Sequence, residues 1–170
     1  MNFKSKKGIS LVVLIFLIVL ILVITTIITG LVIINKNKNK ESITANEFKN
    51  KMEDMNYIVV DAKDQFEEYD YIEKVYLAAP KNYEYQIEFY EMDEEEQAIS
   101  FYNYNKQIFE SYNSSASAET NVSIGNNAKY TLTTEDEYRL LSRIDNTVIY
   151  VHVNKEYKDE IKEVLKELGY

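Results

Sequence analysis

The sequence predicts an α+β fold: one transmembrane helix, then a domain in which an antiparallel β-sheet packs with about three helices. Three observations favour this fold class. An uncharged stretch of 26 residues runs from Ile9 to Ile34. Downstream of it, strand-like segments follow one another with short turns between them, and segments with helical periodicity separate them into groups. Because no strand–helix–strand alternation is present, we expect the helices on one face of an antiparallel sheet.

The apolar stretch predicts an uncleaved single-pass membrane anchor. At about 1.5 Å per residue, a helix over residues 9–34 is longer than the roughly 30 Å hydrocarbon core. Three lysines flank it on each side, and the free amino terminus favours a cytoplasmic tail. Residues 1–8 then form that basic tail, residues 35–43 a Lys/Asn linker, and residues 44–170 an acidic extracytoplasmic domain at the cell membrane.

Small residues within the span are spaced for contact between helices. Thr25 and Thr29, and likewise Thr26 and Gly30, lie four residues apart, a spacing that lets two helices approach closely. Such pairs arise often by chance in an apolar helix. The spacing therefore predicts no more than a weak homodimer through the transmembrane helix.

The elements of the domain are assigned from periodicity and turn signals. A capping box, Thr44 with Glu47, begins a helix at 45–56. The predicted strands are 57–60, 74–79, 83–90, 128–134, 137–144 and 147–153, the last two joined by a turn at Asp145-Asn146. The second helix follows Asp93, with Ala98, Phe101, Asn105, Ile108 and Tyr112 on its buried face. The third follows Asn154, with Ile161, Val164, Leu165 and Leu168 buried and Gly169 as its stop.

Two further expectations concern the strands and the connections. Strand 83–90 alternates Tyr83, Tyr85, Ile87 and Phe89 with polar residues, which predicts one buried and one wet face. Residues 61–71 are expected to form a helical turn or a loop, and residues 113–121 a polar loop.

Composition excludes several classes of function. Six of the 19 basic residues and none of the 28 acidic residues precede Glu41, so the rest of the chain carries a net charge of −15. Such a surface argues against nucleic acid, because phosphate binding depends on concentrated Lys and Arg. The absence of Cys excludes thiolate chemistry and disulfides. A single His excludes most catalytic metal sites.

Two motifs are candidates for chemistry, and each has a plainer interpretation that we favour. His152 lies on a strand with Val148 and Tyr150 on the same face, but no nucleophile motif accompanies it. Asp93 to Glu96 resembles a hard-cation site in charge only, because it lacks the alternating ligands of a binding loop. We expect a partly exposed strand histidine and a solvated first helical turn, and no catalytic, cofactor or metal residues.

The 15 tyrosines all follow residue 56 and are the most unusual feature of the composition. Tyrosine offers a large rigid contact area with a polar tip, so exposed clusters suit the recognition of peptides or sugars. We expect an exposed aromatic patch among Tyr90, Tyr102, Tyr104 and Tyr150. Asn105, within an apolar stripe, is either a buried amide with its hydrogen bonds satisfied or an edge position, and the former is the commoner case.

The amino terminus resembles a type IV prepilin leader. Lys6-Lys7-Gly8-Ile9-Ser10-Leu11 precedes a long apolar helix, and the resemblance implies cleavage between Gly8 and Ile9 and packing of that helix in a filament. The family's acidic residue falls on Val13. The remainder, rich in Asn, Ile and Tyr, resembles uncharacterised membrane-anchored small proteins of low-GC Gram-positive bacteria.

These observations lead to three hypotheses about function. The first is a non-catalytic, membrane-anchored extracytoplasmic module that binds a protein or envelope ligand. The second is a pilin-like subunit, as the leader implies. The third is a carboxylate-based hydrolase, which requires two acids that face each other in a cleft.

Overall fold

A seven-stranded antiparallel sheet forms the centre of the structure. The structure is a computed structural model, and it describes residues 20–22, 24–25, 39–112 and 116–170. The strands are β1 Ile58–Asp61, β2 Ile72–Ala79, β3 Ile87–Met92, β4 Ala118–Ile124, β5 Asn127–Thr133, β6 Glu137–Ile144 and β7 Thr147–Asn154. Their order in the sheet is β1-β2-β3-β7-β6-β5-β4. Two hairpin-connected groups, β1 to β3 and β4 to β7, are therefore joined by the pairing of β3 with β7.

Three helices pack on this sheet within Asn39–Tyr170, which forms one compact unit. They are α1 Ala45–Asp54, α2 Glu95–Glu110 and α3 Lys158–Leu168. The α+β class and the antiparallel sheet are confirmed. The helices, however, lie on both faces: α1 and α3 pack over one core and α2 over the other.

Strand β3 explains why the expectation of helices on one face was wrong. Ile87 and Phe89 are buried in the core under α1 and α3, while Tyr90 and Met92 are buried in the core under α2. Successive side chains of a strand point to opposite faces, so β3 feeds both cores. The expected wet face is therefore covered only at Tyr90, since Glu84 and Gln86 are exposed and Glu88 is partly exposed.

The second helix is rotated relative to the predicted face. Its buried residues are Ala98, Tyr102 and Phe109, whereas Ile108 and Tyr112 are 39% and 47% exposed. Glu94, and not Asp93, occupies the N-cap position. The periodicity was correct, but the aromatic residues on several sides of the helix did not determine which side is buried.

One strand boundary differs from the prediction, and one strand was not predicted. β3 begins at Ile87, four residues later than predicted, and Tyr83 cannot belong to it because its backbone is left-handed with φ of 56°. β4 occupies part of the predicted loop 113–121. All seven of its residues are exposed, since it is an edge strand, and it therefore lacks the alternating pattern that identifies a half-buried strand.

Other predicted elements are confirmed. Thr44 and Glu47 form the capping box of α1, and residues 63–66 form a 3-10 helix within the expected turn or loop. β6 has the predicted bounds, and Asp145 in the following turn has a φ of 47°. The buried face of α3 is as predicted, and the helix stops at Gly169 with a φ of 90°.

The prediction of a membrane-spanning helix at 9–34 finds no support in the described residues. Across the described parts of the chain, no helix combines the length and the apolar character needed to cross a bilayer. The longest, α2, has 16 residues, about 24 Å, and carries several charged side chains. Most of residues 9–34, together with the Gly8-Ile9 junction and three of the four small residues proposed for a homodimer, lie outside the described residues.

Thr44→Ala tests the capping box of α1. The Thr44 hydroxyl accepts a hydrogen bond from the Glu47 backbone N–H at 3.2 Å, and Glu47 accepts one from the Thr44 backbone N–H at 2.8 Å. We expect Thr44→Ala to lower the free energy of unfolding by about 1 kcal/mol and Thr44→Ser to change it little. Urea unfolding of the full-length chain measures both; equal midpoints for Ala and Ser would contradict the expectation.

The same box predicts a pH dependence of stability. The hydrogen bonds from the Thr44 backbone and hydroxyl hold the pKa of Glu47 below its ordinary value of 4.5. Since the folded pKa is the lower one, the contribution of Glu47 is present above pH 4.5 and is lost as the pH falls through the folded value. The difference in stability between the natural chain and Glu47→Gln should therefore shrink below pH 4.5, as measured by urea unfolding across pH.

Candidate functional site

An open cleft on the α2 side of the sheet is the best candidate for a binding site among the described residues. We call it the aromatic cleft; its volume is about 300 Å³. The lining residues are Phe66, Tyr69, Tyr71, Ile72, Glu88, Tyr90, Phe101, Tyr104, Asn105 and Tyr150. Seven of these ten are aromatic, and one is a carboxylate.

Three parts of the fold supply the walls of the cleft. The 3-10 helix and the loop that follows it carry Phe66, Tyr69 and Tyr71, β3 and β7 form the floor, and α2 provides Phe101 and Tyr104. The loop is fixed at its end, because the Asp93 backbone N–H donates to the Tyr71 carbonyl at 3.0 Å. The wall formed by the loop is thereby held beside the start of α2.

The rings of the cleft pack against one another at steep angles. Phe66 meets Tyr90 edge-on, with centroids 5.5 Å apart and planes at 89°. Tyr90 lies 4.6 Å from Phe101 at 43°, and Tyr69 lies 5.8 Å from Tyr71 at 70°. In an edge-on pair each ring leaves at least one face uncovered by its partner. The cleft therefore has a concave wall built from ring faces and edges.

Glu88 is the charged group of the cleft. The Tyr90 hydroxyl donates to Glu88 Oε2 at 2.5 Å, and Gln86 Nε2 donates to Oε1 at 2.8 Å. Glu88 lies directly opposite Tyr150 in the pairing of β3 with β7. The two hydrogen bonds fix the orientation of the carboxylate, one at each oxygen.

The tyrosines around this carboxylate are held in their neutral form. Burial, and then the negative charge of Glu88, raises the pKa of Tyr90 well above its ordinary value of 10. The same two causes raise the pKa of Tyr150, while Arg139 opposes the shift. Burial raises the pKa of Tyr71. These hydroxyls are therefore hydrogen-bond donors at any physiological pH.

The rim of the cleft lies on α2. Asn105 donates to the Phe101 carbonyl at 2.9 Å, one turn earlier in the helix, so its amide is a partly buried edge group with one bond satisfied. Tyr104 is 66% exposed. A ligand in the cleft would meet the Tyr104 ring at the entrance and the Glu88 carboxylate within.

The four tyrosines expected to form one exposed patch lie in two different places. Tyr90, Tyr104 and Tyr150 all line the aromatic cleft, although Tyr90 is only 4% exposed. Tyr102 is also 4% exposed and borders a different depression, together with Lys106 and Arg143. Since Tyr102 and Tyr104 are two residues apart on a helix, they cannot face the same site.

The other predicted candidates have structural partners. His152 is partly exposed on β7, and its Nε2 lies 2.9 Å from Glu137 Oε1. Glu137 also pairs with the buried guanidinium of Arg139. In the run Asp93 to Glu96, Glu95 accepts a hydrogen bond from Arg143 Nη1 at 2.9 Å. Within the described residues no cluster of three or more His, Cys, Asp or Glu side chains has the arrangement to hold a metal ion.

Another, more open depression lies where β6 begins and β7 ends. The carboxylates that line it are Glu135, Asp136, Glu156 and Asp159, and Lys155 lies among them. This end of the sheet has the carboxylates that a hydrolase needs, but it has none of the aromatic lining of the cleft. The hydrolase hypothesis stays a prediction.

Most of the cleft was not predicted. Glu88, Phe66, Tyr69, Tyr71 and Phe101 were not identified as site residues. A usable signal was the i, i+2 pair Glu88 and Tyr90, which places a carboxylate and a phenol on the same face of a strand. The loop residues gave no comparable signal, because their convergence on α2 depends on the tertiary fold.

Comparison with known proteins adds one distant likeness in structure. The chain is similar to a GTP binding regulator from Thermotoga maritima, with 16% sequence identity and a TM-score of 0.40, over 75% of this chain and 85% of that chain. No protein-family model and no curated protein matches the sequence. The likeness is too distant to transfer a function, so the candidate site rests on its own geometry.

Tyr90→Phe tests the hydrogen bond at the base of the cleft, and Tyr102→Phe is its matched control. Both tyrosines are 4% exposed, but the Tyr102 hydroxyl has no hydrogen-bond partner among the described residues. We expect Tyr90→Phe to lower the free energy of unfolding by about 1 kcal/mol and Tyr102→Phe to leave it unchanged or raise it. Urea unfolding measures the free energy of unfolding of both variants. An equal decrease in the two would contradict the hydrogen bond between Tyr90 and Glu88.

Proposed function

We propose that the chain is a non-catalytic binding module whose ligand occupies the aromatic cleft. The observation that carries this proposal is the convergence of seven aromatic side chains and one oriented carboxylate on a single open cleft. Ligand sites are typically concave, mostly apolar, and equipped with a few polar groups at fixed positions. The aromatic cleft has each of these properties.

The size of the cleft limits what it can accept. Its volume of about 300 Å³ lies at the lower end of the range found for small-molecule sites. A single side chain or a compact small molecule fits, whereas an extended peptide would contact the cleft with one residue and lie outside it with the rest. The proposal is therefore recognition of one compact group, either free or carried by a partner.

The polar groups of the cleft support binding better than catalysis. Both Glu88 oxygens already accept hydrogen bonds, and burial keeps the surrounding phenols protonated. A retaining or inverting hydrolase needs a second carboxylate beside the first. Glu88 is the sole carboxylate among the described residues that line the cleft.

Tyr104→Ala tests the proposed function, with Tyr83→Asn as control. The two tyrosines are 66% and 67% exposed, but only Tyr104 lines the cleft. Asn is chosen for position 83 because it tolerates the φ of 56° there. Saturation-transfer NMR on the full-length chain would use the Nα-acetyl amides of Lys, Arg, Gln, Leu, Phe and Asp, together with N-acetylglucosamine.

We expect at least one of these probes to bind the natural chain. Tyr104→Ala should weaken that binding about fivefold, because it removes one aromatic contact worth about 1 kcal/mol. Tyr83→Asn should leave it unchanged. The proposal fails if no probe binds, or if the two variants weaken binding equally.

A further inference from the structure

The charge of the aromatic cleft is negative, and this restricts the ligands that it can hold. No Lys or Arg side chain is found among the described residues that line the cleft, and Glu88 contributes a carboxylate. The loop that carries Tyr69 also carries three exposed acids, Glu67, Glu68 and Asp70. An anionic ligand would therefore enter against like charge from Glu88 on the floor and from the loop that forms one wall.

Two cations close to the cleft residues are bound by other groups. Lys63 Nζ donates to the carbonyls of Phe66 and Tyr69 at 3.3 Å each, so this ammonium is held by the backbone of the loop. Arg139 pairs with Glu137 and lies 4.1 Å from the centroid of the Tyr112 ring. The negative charge of Glu88 thus has neutral hydrogen-bond donors beside it but no cation in the cleft.

A neutral ligand would also be penalised. Closing the cleft over Glu88 removes water from an ionised carboxylate, and that is costly unless a positive charge takes the place of the water. A positively charged ligand supplies this charge. It also gains from the ring faces, because a cation over an aromatic ring is attracted by the negative face of the ring, most strongly where water is excluded.

From these observations we infer that the ligand of the aromatic cleft is an organic cation, with an ammonium, methylated ammonium or guanidinium head of the size of a lysine or arginine side chain. This inference rests on the proposed function. The Tyr69, Tyr71, Tyr90, Phe101 and Tyr104 rings surround the head group, and Glu88 neutralises it. The same chemistry is offered by a free small cation and by a basic side chain of a partner protein.

Pairs of isosteric probes test the inference on the full-length chain. Choline and 3,3-dimethylbutan-1-ol have the same shape and differ in charge, as do the Nα-acetyl amides of arginine and citrulline. Chemical-shift titration of ring-labelled tyrosines measures the affinity for each. We expect the charged member of a pair to bind about tenfold tighter than its neutral isostere. Preference for choline indicates a free small cation, and preference for the arginine amide indicates a side chain of a partner.

Glu88→Gln separates charge from shape, and Glu73→Gln is its control. Glu73 is an exposed carboxylate on β2 that does not line the cleft, so its replacement changes the net charge equally. Glu88→Gln should reduce the advantage of the cation about tenfold, in part because the neutral isostere no longer desolvates a carboxylate, whereas Glu73→Gln should alter neither affinity. The amide spectrum of each variant reports that it is folded.

The outcomes distinguish this inference from the proposed function. Equal binding of charged and neutral probes, weakened by Tyr104→Ala, would overturn the inference and leave the binding module intact. A cation preference that persists in Glu88→Gln would also overturn it, because the charge would then be recognised elsewhere. Absence of binding by any probe, charged or neutral, would overturn both.

Discussion

The pairing of β3 with β7 is the constraint on which the rest of the structure depends. It joins two groups of strands that are far apart in sequence, and it places Glu88 opposite Tyr150 and Tyr90 opposite Val148. The sheet then has enough width for helices on both faces. Because α2 connects the two groups and crosses the sheet, its aromatic residues come to lie over the same strands. The cleft is formed where that crossing leaves the floor uncovered.

Local patterns predicted those elements whose signal is contained in a short segment. The capping box at Thr44, the turn at Asp145 and the stop at Gly169 depend on backbone conformations set by one or two residues. The buried face of α2 could not be predicted from its local sequence. Its aromatic residues surround the helix, and burial of Tyr102 in preference to Tyr112 depends on the position of β6 beneath it.

The candidate site was predicted in part, for a related reason. Tyr90, Tyr104 and Tyr150 stood out because tyrosine is abundant in this chain and suits recognition. Their convergence, and the inclusion of Glu88, depend on register across β3 and β7, which periodicity within one strand does not give. The 3-10 helix that ends at Phe66 and the loop that carries Tyr69 are held beside α2 by the hydrogen bond from the Asp93 N–H to the Tyr71 carbonyl, a tertiary contact without a local sequence signal.

Because β3 has buried side chains on both faces, a shift in its register against β7 is strongly unfavourable. A shift of one residue along β7 would move the Glu88 carboxylate into the apolar layer where Phe48 stacks on Phe89, and would turn Phe89 toward the opposite side. An ionised group among stacked rings is strongly unfavourable, so the misaligned state is penalised by solvation as well as by lost packing. The acid that gives the cleft its charge also ensures that the chain settles in a single strand alignment.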